Sequence, residues 1–188
     1  APLVPARTRH ERFGWLNDAF ATDVARLVVA GQAMIEVVIA STPGAVAQAA
    51  HPRVEVSVLE NAELVLVERH VGDLGMESLI NVAVQVHAAA GSSCRHLRWQ
   101  SLAAEAQLLD TMQVALDRDA RYSLALLQLG GRSARSSLRI SLYGRGAQAT
   151  VTATVEILEP VTNSLPRTPQ DRQRQVSHGR DRVTVEYF

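Results

Sequence analysis

A cysteine and a histidine two positions apart are the residues best suited to metal chemistry in this sequence. Cys94 and His96 fall within an alternating run that predicts a β-strand. The alternation places both on the face opposite Leu97 and Trp99, and we expect that polar face to meet solvent. A thiolate and an imidazole can bind a soft metal ion, with His87 as a candidate third ligand. The alternative is a polar strand face that carries one cysteine.

Carboxylate pairs are the other candidate chemistry, because sugar-cleaving enzymes need two or three acids at one register. Asp117 and Asp119 flank one turn, and Glu60 and Glu63 flank an equivalent turn. The turn between them, at residues 90–93, contains no acid. A carbohydrate-active enzyme therefore remains only an alternative.

The basic residues limit the classes of function further. All nineteen are arginine, and they balance nineteen Asp and Glu residues. Without lysine, the chain has no lysine nucleophile and no P-loop lysine of a Walker-type ATPase. The zero formal net charge argues against binding to nucleic acid. No apolar run is long enough to span a membrane, and the single cysteine favours a reducing compartment, so we expect a cytoplasmic protein.

A repeat of about 28 residues organises the elements that position these side chains. Alternating runs recur along the chain, and each is followed by a short polar turn and a second apolar run. The middle residues of the runs are Val56, Val84, Val114 and Ile140, and the turn anchors are Asn61, Gly91, Asp119 and Gly146. Two strands per repeat predict an all-β fold, a flattened parallel β-helix in which those four middle residues stack in one column. An antiparallel sandwich is the alternative.

The two ends of the chain differ from the repeat. Residues 1–24 form an N-terminal segment whose helix, at 11–20, has an apolar stripe and is expected to cap the first coil. The β-helix core is assigned to residues 25–158, and residues 159–188 to a loop and a C-terminal strand. The Arg-rich stretch at 171–182 is interpreted as solvated or partner-facing. An uncapped last coil would expose a sheet edge, so we expect Val183, Val185 and Tyr187 to pair with a second chain.

Four motifs in order resemble the SufB/SufD family of the SUF iron–sulfur cluster assembly system. They lie at residues 15–20, 51–64, 81–87 and 144–150, and the resemblance covers about residues 13–158. It implies a right-handed parallel β-helix that acts as a scaffold rather than as an enzyme. Because the sequence has no set of cluster-binding cysteines, the resemblance is closer to SufD than to SufB. The family's further coils and helical C-terminal domain have no match here, so a shortened form is expected.

The same resemblance implies partners and one site residue. Residues 176–179 are similar to the family's Cys-Ser-His-Gly motif, with Val in place of Cys, which would make His178 the interface histidine. The implied partners are a SufB-like subunit or a second copy of the chain, and a SufC-like ATPase. An iron–sulfur cluster would be held only in such a complex, and this chain alone would bind no cofactor. A stand-alone β-helix interaction module without a cluster role is the alternative.

Overall fold

A computed structural model describes residues 6–9, 11–41, 48–72, 78–156, 170–177 and 182–187. One helix and thirteen strands follow one another along the described chain. Their bounds are α1 Arg12–Phe20, β1 Ala25–Val29, β2 Gln32–Ser41, β3 Gln48–Ala50, β4 Arg53–Val58, β5 Glu63–Gly72, β6 Ser78–Ala88, β7 Ser93–Leu102, β8 Ala106–Leu116, β9 Arg121–Gly130, β10 Ser133–Leu142, β11 Gln148–Glu156, β12 Gln170–Ser177 and β13 Arg182–Tyr187. In the described chain, no helix is long and apolar enough to cross a membrane.

The strands form two sheets that the chain visits alternately. Sheet A has the order β1-β4-β6-β8-β10-β13, with β3 also paired to β6, and sheet B has the order β12-β11-β9-β7-β5-β2. From β1 to β11 the pairs are parallel, so each coil lies directly on the preceding one. The result is a β-solenoid of about four turns, which confirms the predicted parallel solenoid over the sandwich.

The predicted turn anchors hold the coils in register. Asn61, Gly91, Asp119 and Gly146 all have positive φ, between 56° and 75°. This left-handed conformation is easy for glycine and tolerable for Asn and Asp, which explains the residue types found there. The Asn61 N–H donates to the carbonyl of Ala90 at 3.0 Å, and the Gly91 N–H donates to that of Arg118 at 2.9 Å. Each turn is therefore tied to the next coil.

The predicted inner column is correct in face but wrong in register at one coil. Val56 pairs with Val86, which in turn pairs with Val114 and then Ile140. Val84 lies two residues earlier, between Val54 and Met112. Two residues along a strand return to the same face, so both valines are buried in the core. Five residues separate β5 from β6, whereas three separate β7 from β8, and this difference changes the spacing that the sequence alone presents.

The N-terminal helix packs on the outside of sheet A, against β6 and β8, rather than over the open first coil. Its buried residues are Gly14 and Asn17, whereas Trp15 and Phe20 are exposed. The Asn17 amide donates to the carbonyls of Asn81, at 2.7 Å, and Pro52, at 3.0 Å. Polar contacts therefore decide where the helix lies, and the apolar stripe that suggested a cap does not.

The C-terminal residues add two antiparallel strands, only one of which was expected. β12 pairs with β11, and β13 pairs with β10, both within the same chain. Val183, Val185 and Tyr187 are in register with Ile140, Leu138 and Ser136. The last parallel coil is thus followed by strands of its own chain, and pairing of β13 with a second chain stays a prediction. β13 is the final strand of sheet A in the described structure.

Candidate functional site

The interior of the solenoid changes from apolar to ionic along the strands of sheet B. On β5 the inward residues run from Leu64 and Leu66 to Glu68 and His70. On β7 they are Cys94, His96, Arg98, Gln100 and Leu102. Glu68, His70, His96 and Arg98 are each at most 2 % exposed. Charged side chains are rarely buried this deeply unless they are paired, so their partners define the site.

Glu68 is the centre of this buried cluster. One carboxylate oxygen lies 2.5 Å from His70 Nε2 and 3.1 Å from Arg98 Nη2. The other lies 3.0 Å from His96 Nε2. Burial alone would raise the pKa of Glu68, but the Arg98 charge and the two histidine contacts outweigh it and hold that pKa well below its usual value. Glu68 is therefore a carboxylate.

Arg98 connects the two sheets through the core. Its guanidinium contacts Glu68 on β5 and forms an ion pair with Asp110, which projects inward from β8 of sheet A. Burial acts to lower the pKa of Arg98, but Asp110 and Glu68 raise it, so the group stays charged. A buried cation between two carboxylates fixes the spacing of the sheets at this point.

A second branch of the cluster leads to sulfur. His96 Nδ1 lies 2.9 Å from the Tyr122 hydroxyl, which donates to Met112 Sδ at 3.3 Å. Burial, with neighbouring Cys94 and Glu68, raises the pKa of Tyr122 well above its usual value. The contacts thus run from Glu68 to the thioether, and the cluster can hold charge and protons away from solvent.

The expected exposure of Cys94 and His96 is wrong. Both point into the core, and the opposite face, with Leu97 at 47 % and Trp99 at 41 %, meets solvent. The polarity of the strand is inverted because the inward polar residues find partners on other strands. Both nitrogens of His96 are engaged, and His87 instead contacts Asp117 at 3.1 Å. Among the described residues no group of three or more His, Cys, Asp or Glu could hold a metal ion.

The Cys94 thiol is expected to be unreactive in this buried position. Burial raises its pKa to about 12, and the thiolate is the form that reacts or binds metals. We expect Cys94 to resist 5,5′-dithiobis(2-nitrobenzoic acid) in the folded chain and to react fully in denaturant. The control is a chain with Cys94→Ser and Thr152→Cys, since Thr152 is exposed on a strand. Equal reaction rates for native Cys94 and the control cysteine would contradict the buried placement.

The remaining predicted site residues are not brought to this cluster. His178 lies outside the described residues. Val183, Val185 and Tyr187 lie on β13, where Tyr187 is in register with Ser136. The sequence contained an indication of the cluster. Leu64, Leu66, Glu68 and His70 are alternate residues of β5 and therefore lie on one face, which is apolar at its start and continues with Glu and His.

The fold and the interior define a class: a parallel β-solenoid with an ion-paired core. The family model for the SUF system FeS cluster assembly SufBD core domain matches residues 37–157. Because this match spans more than half of the sequence, the chain belongs to that family, and a role in SUF iron–sulfur cluster assembly is supported. No curated protein matches the chain.

Proposed function

We propose that the chain is a SufD-like scaffold component of iron–sulfur cluster assembly, which works by binding partners and not as an enzyme. The observation that carries this proposal is the SufBD core match, which extends from within β2 to the end of β11. It therefore includes every residue of the ionic cluster. The cytoplasm is the proposed location.

The cysteine content supports the proposal that the chain is SufD-like. Iron–sulfur clusters are held mainly by cysteine thiolates, usually four of them. This chain has one cysteine, and that residue is buried with a raised pKa. We therefore propose that the chain alone carries no cluster and that any cluster is held in a complex with a subunit that supplies thiolates.

The proposed partners are a SufB-like subunit, or a second copy of the chain, and a SufC-like ATPase. The pairing of β13 with β10 uses one edge of β13, and its other edge ends the described sheet A. An exposed strand edge can pair with another chain. Val183, Val185 and Tyr187 are the proposed partner-binding residues, and His178 is the proposed interface histidine.

The ionic cluster disfavours the carbohydrate-active alternative. Glu68 and Asp110 are buried acids inside the solenoid, and both are bound to Arg98. Each is less than 5 % exposed, so neither acid is open to a sugar. A stand-alone interaction module remains the second candidate, because the family match does not identify a partner.

Co-purification tests the proposal. The tagged chain is expressed with the SufB-type and SufC-type proteins of its source organism, and iron and acid-labile sulfide are measured for the chain alone and for the complex. We expect retention of at least one of these proteins and metal only in the complex. The matched control ends at Asp171, after its folding has been checked by circular dichroism, and should lose the SufB-type partner. Retention of neither protein would favour the stand-alone module.

A further inference from the structure

Four buried polar atoms beside the ionic cluster have no partner in the protein. They are both side-chain amide atoms of Gln100, Nδ1 of His70 and Oδ1 of Asp110. Gln100 is 1 % exposed, and His70 is fully buried. An unsatisfied buried polar atom destabilises the fold because it has lost its hydrogen bonds to water without replacing them. Four of them in one place call for a bound group that satisfies them.

These atoms belong to side chains that the fold brings together. His70 on β5 pairs directly with Gln100 on β7, and both point inward. Arg98 contacts His70 Nε2 and Asp110 Oδ2, which links Asp110 of sheet A to the same region. The other direct neighbour in the row, Gln128, has its own partner in Ser136 at 2.6 Å. Beside the ionic cluster, the unsatisfied atoms therefore belong to Gln100, His70 and Asp110.

The hydrogen-bonding roles of these atoms indicate which bound group would satisfy them. Asp110 Oδ1 and Gln100 Oε1 are acceptors, and His70 Nδ1 accepts or donates according to the tautomer of the ring. Gln100 Nε2 is a donor, so the bound group must both donate and accept hydrogen bonds. A bare cation cannot accept a hydrogen bond, and Arg98 already neutralises charge here. We propose that at least one ordered water molecule bridges Gln100, His70 and Asp110, a site that does not depend on the proposed function.

The surroundings of Gln100 place this water site beside a turn. A Cβ atom on Gly131 would lie 3.6 Å from Gln100 Nε2, and Gly131 has a φ of +84°. The turn thus brings bare backbone, without a side chain, next to the amide. Water typically makes about three hydrogen bonds when it is buried, and three side chains carry the unsatisfied atoms here.

Water-selective NMR tests the site in the wild-type chain. We expect NOE cross-peaks between the Gln100 side-chain amide protons and water. Their sign should be the one that a long-lived water molecule, tumbling slowly with the protein, produces. The reference is Gln113, which is equally buried but donates directly to Glu11 at 2.8 Å. The absence of a water cross-peak at Gln100 overturns the proposal, as does a crystal structure with another ion or direct protein contacts in that position.

The variant Gln100→Leu gives an independent test with opposite expected signs. With bound water, leucine leaves His70 Nδ1 and Asp110 Oδ1 unsatisfied, so the melting temperature should fall by about 3 °C or more. Without bound water, leucine removes two unsatisfied atoms and fills the same space, so the melting temperature should rise. A rise overturns the proposal. If the variant does not fold, the wild-type cross-peak decides.

Discussion

Replacing Arg98 by methionine is expected to lower the free energy of unfolding by about 3–5 kcal/mol, the cost of breaking a buried ion pair by removing one partner. The change leaves Glu68 and Asp110 as buried carboxylates that have lost their shared cation. A domain of this kind is stable by only about 5–15 kcal/mol. Arg98→Met should therefore unfold at much lower urea concentration than the wild-type chain, or fail to fold.

The matched control is Arg95→Met, three residues earlier on the same strand. Arg95 is exposed on the outer face of sheet B, so its loss should change the free energy of unfolding by less than about 0.5 kcal/mol. The variant Glu68→Gln/Arg98→Met/Asp110→Asn removes all three charges and should be more stable than Arg98→Met alone. Equal stabilities for the Arg98 and Arg95 variants would show that Arg98 is not the buried cation of the core.

The architecture was predictable because the coil repeats a local rule. Each coil needs a residue that tolerates positive φ at the same turn, and Asn61, Gly91, Asp119 and Gly146 reveal that requirement in the sequence. Period-two alternation then identifies the strands between the turns. The register of Val84 was missed because sequence spacing between coils includes the residues that connect the strands. Strand pairing depends instead on which residues face each other.

The positions of the two ends were not predictable from amphipathicity. The helix carries Phe13, Leu16 and Phe20 at helical spacing, which suggests a buried stripe. In the structure Asn17 anchors the helix instead, through two carbonyls of sheet A. Such polar contacts join residues far apart in the chain, and no local pattern records them.

The ionic cluster was missed for a related reason. Alternation separates two faces of a strand, but polarity alone does not say which face is inside. On β7 the face with Cys94, His96, Arg98 and Gln100 is the polar one, yet it is buried because Glu68, Asp110 and Tyr122 supply its partners. The apolar Leu97 and Trp99 are left outside. Partners from three other strands, the nearest of them 12 residues away in sequence, therefore decide the orientation.

Val84→Asp tests the inward face of sheet A and should have an effect of similar size. Val84 is fully buried between Val54 and Met112, and no cation lies among these paired residues. An aspartate there would be an unpaired buried carboxylate, which costs several kcal/mol even when protonation relieves the charge. We expect a loss of more than about 3 kcal/mol in urea unfolding, or no folded protein. Thr152→Asp, at an exposed strand position, should change stability by less than about 1 kcal/mol. If the two aspartate variants unfold at the same urea concentration, Val84 does not face the core and the pairing of β4, β6 and β8 described here is wrong.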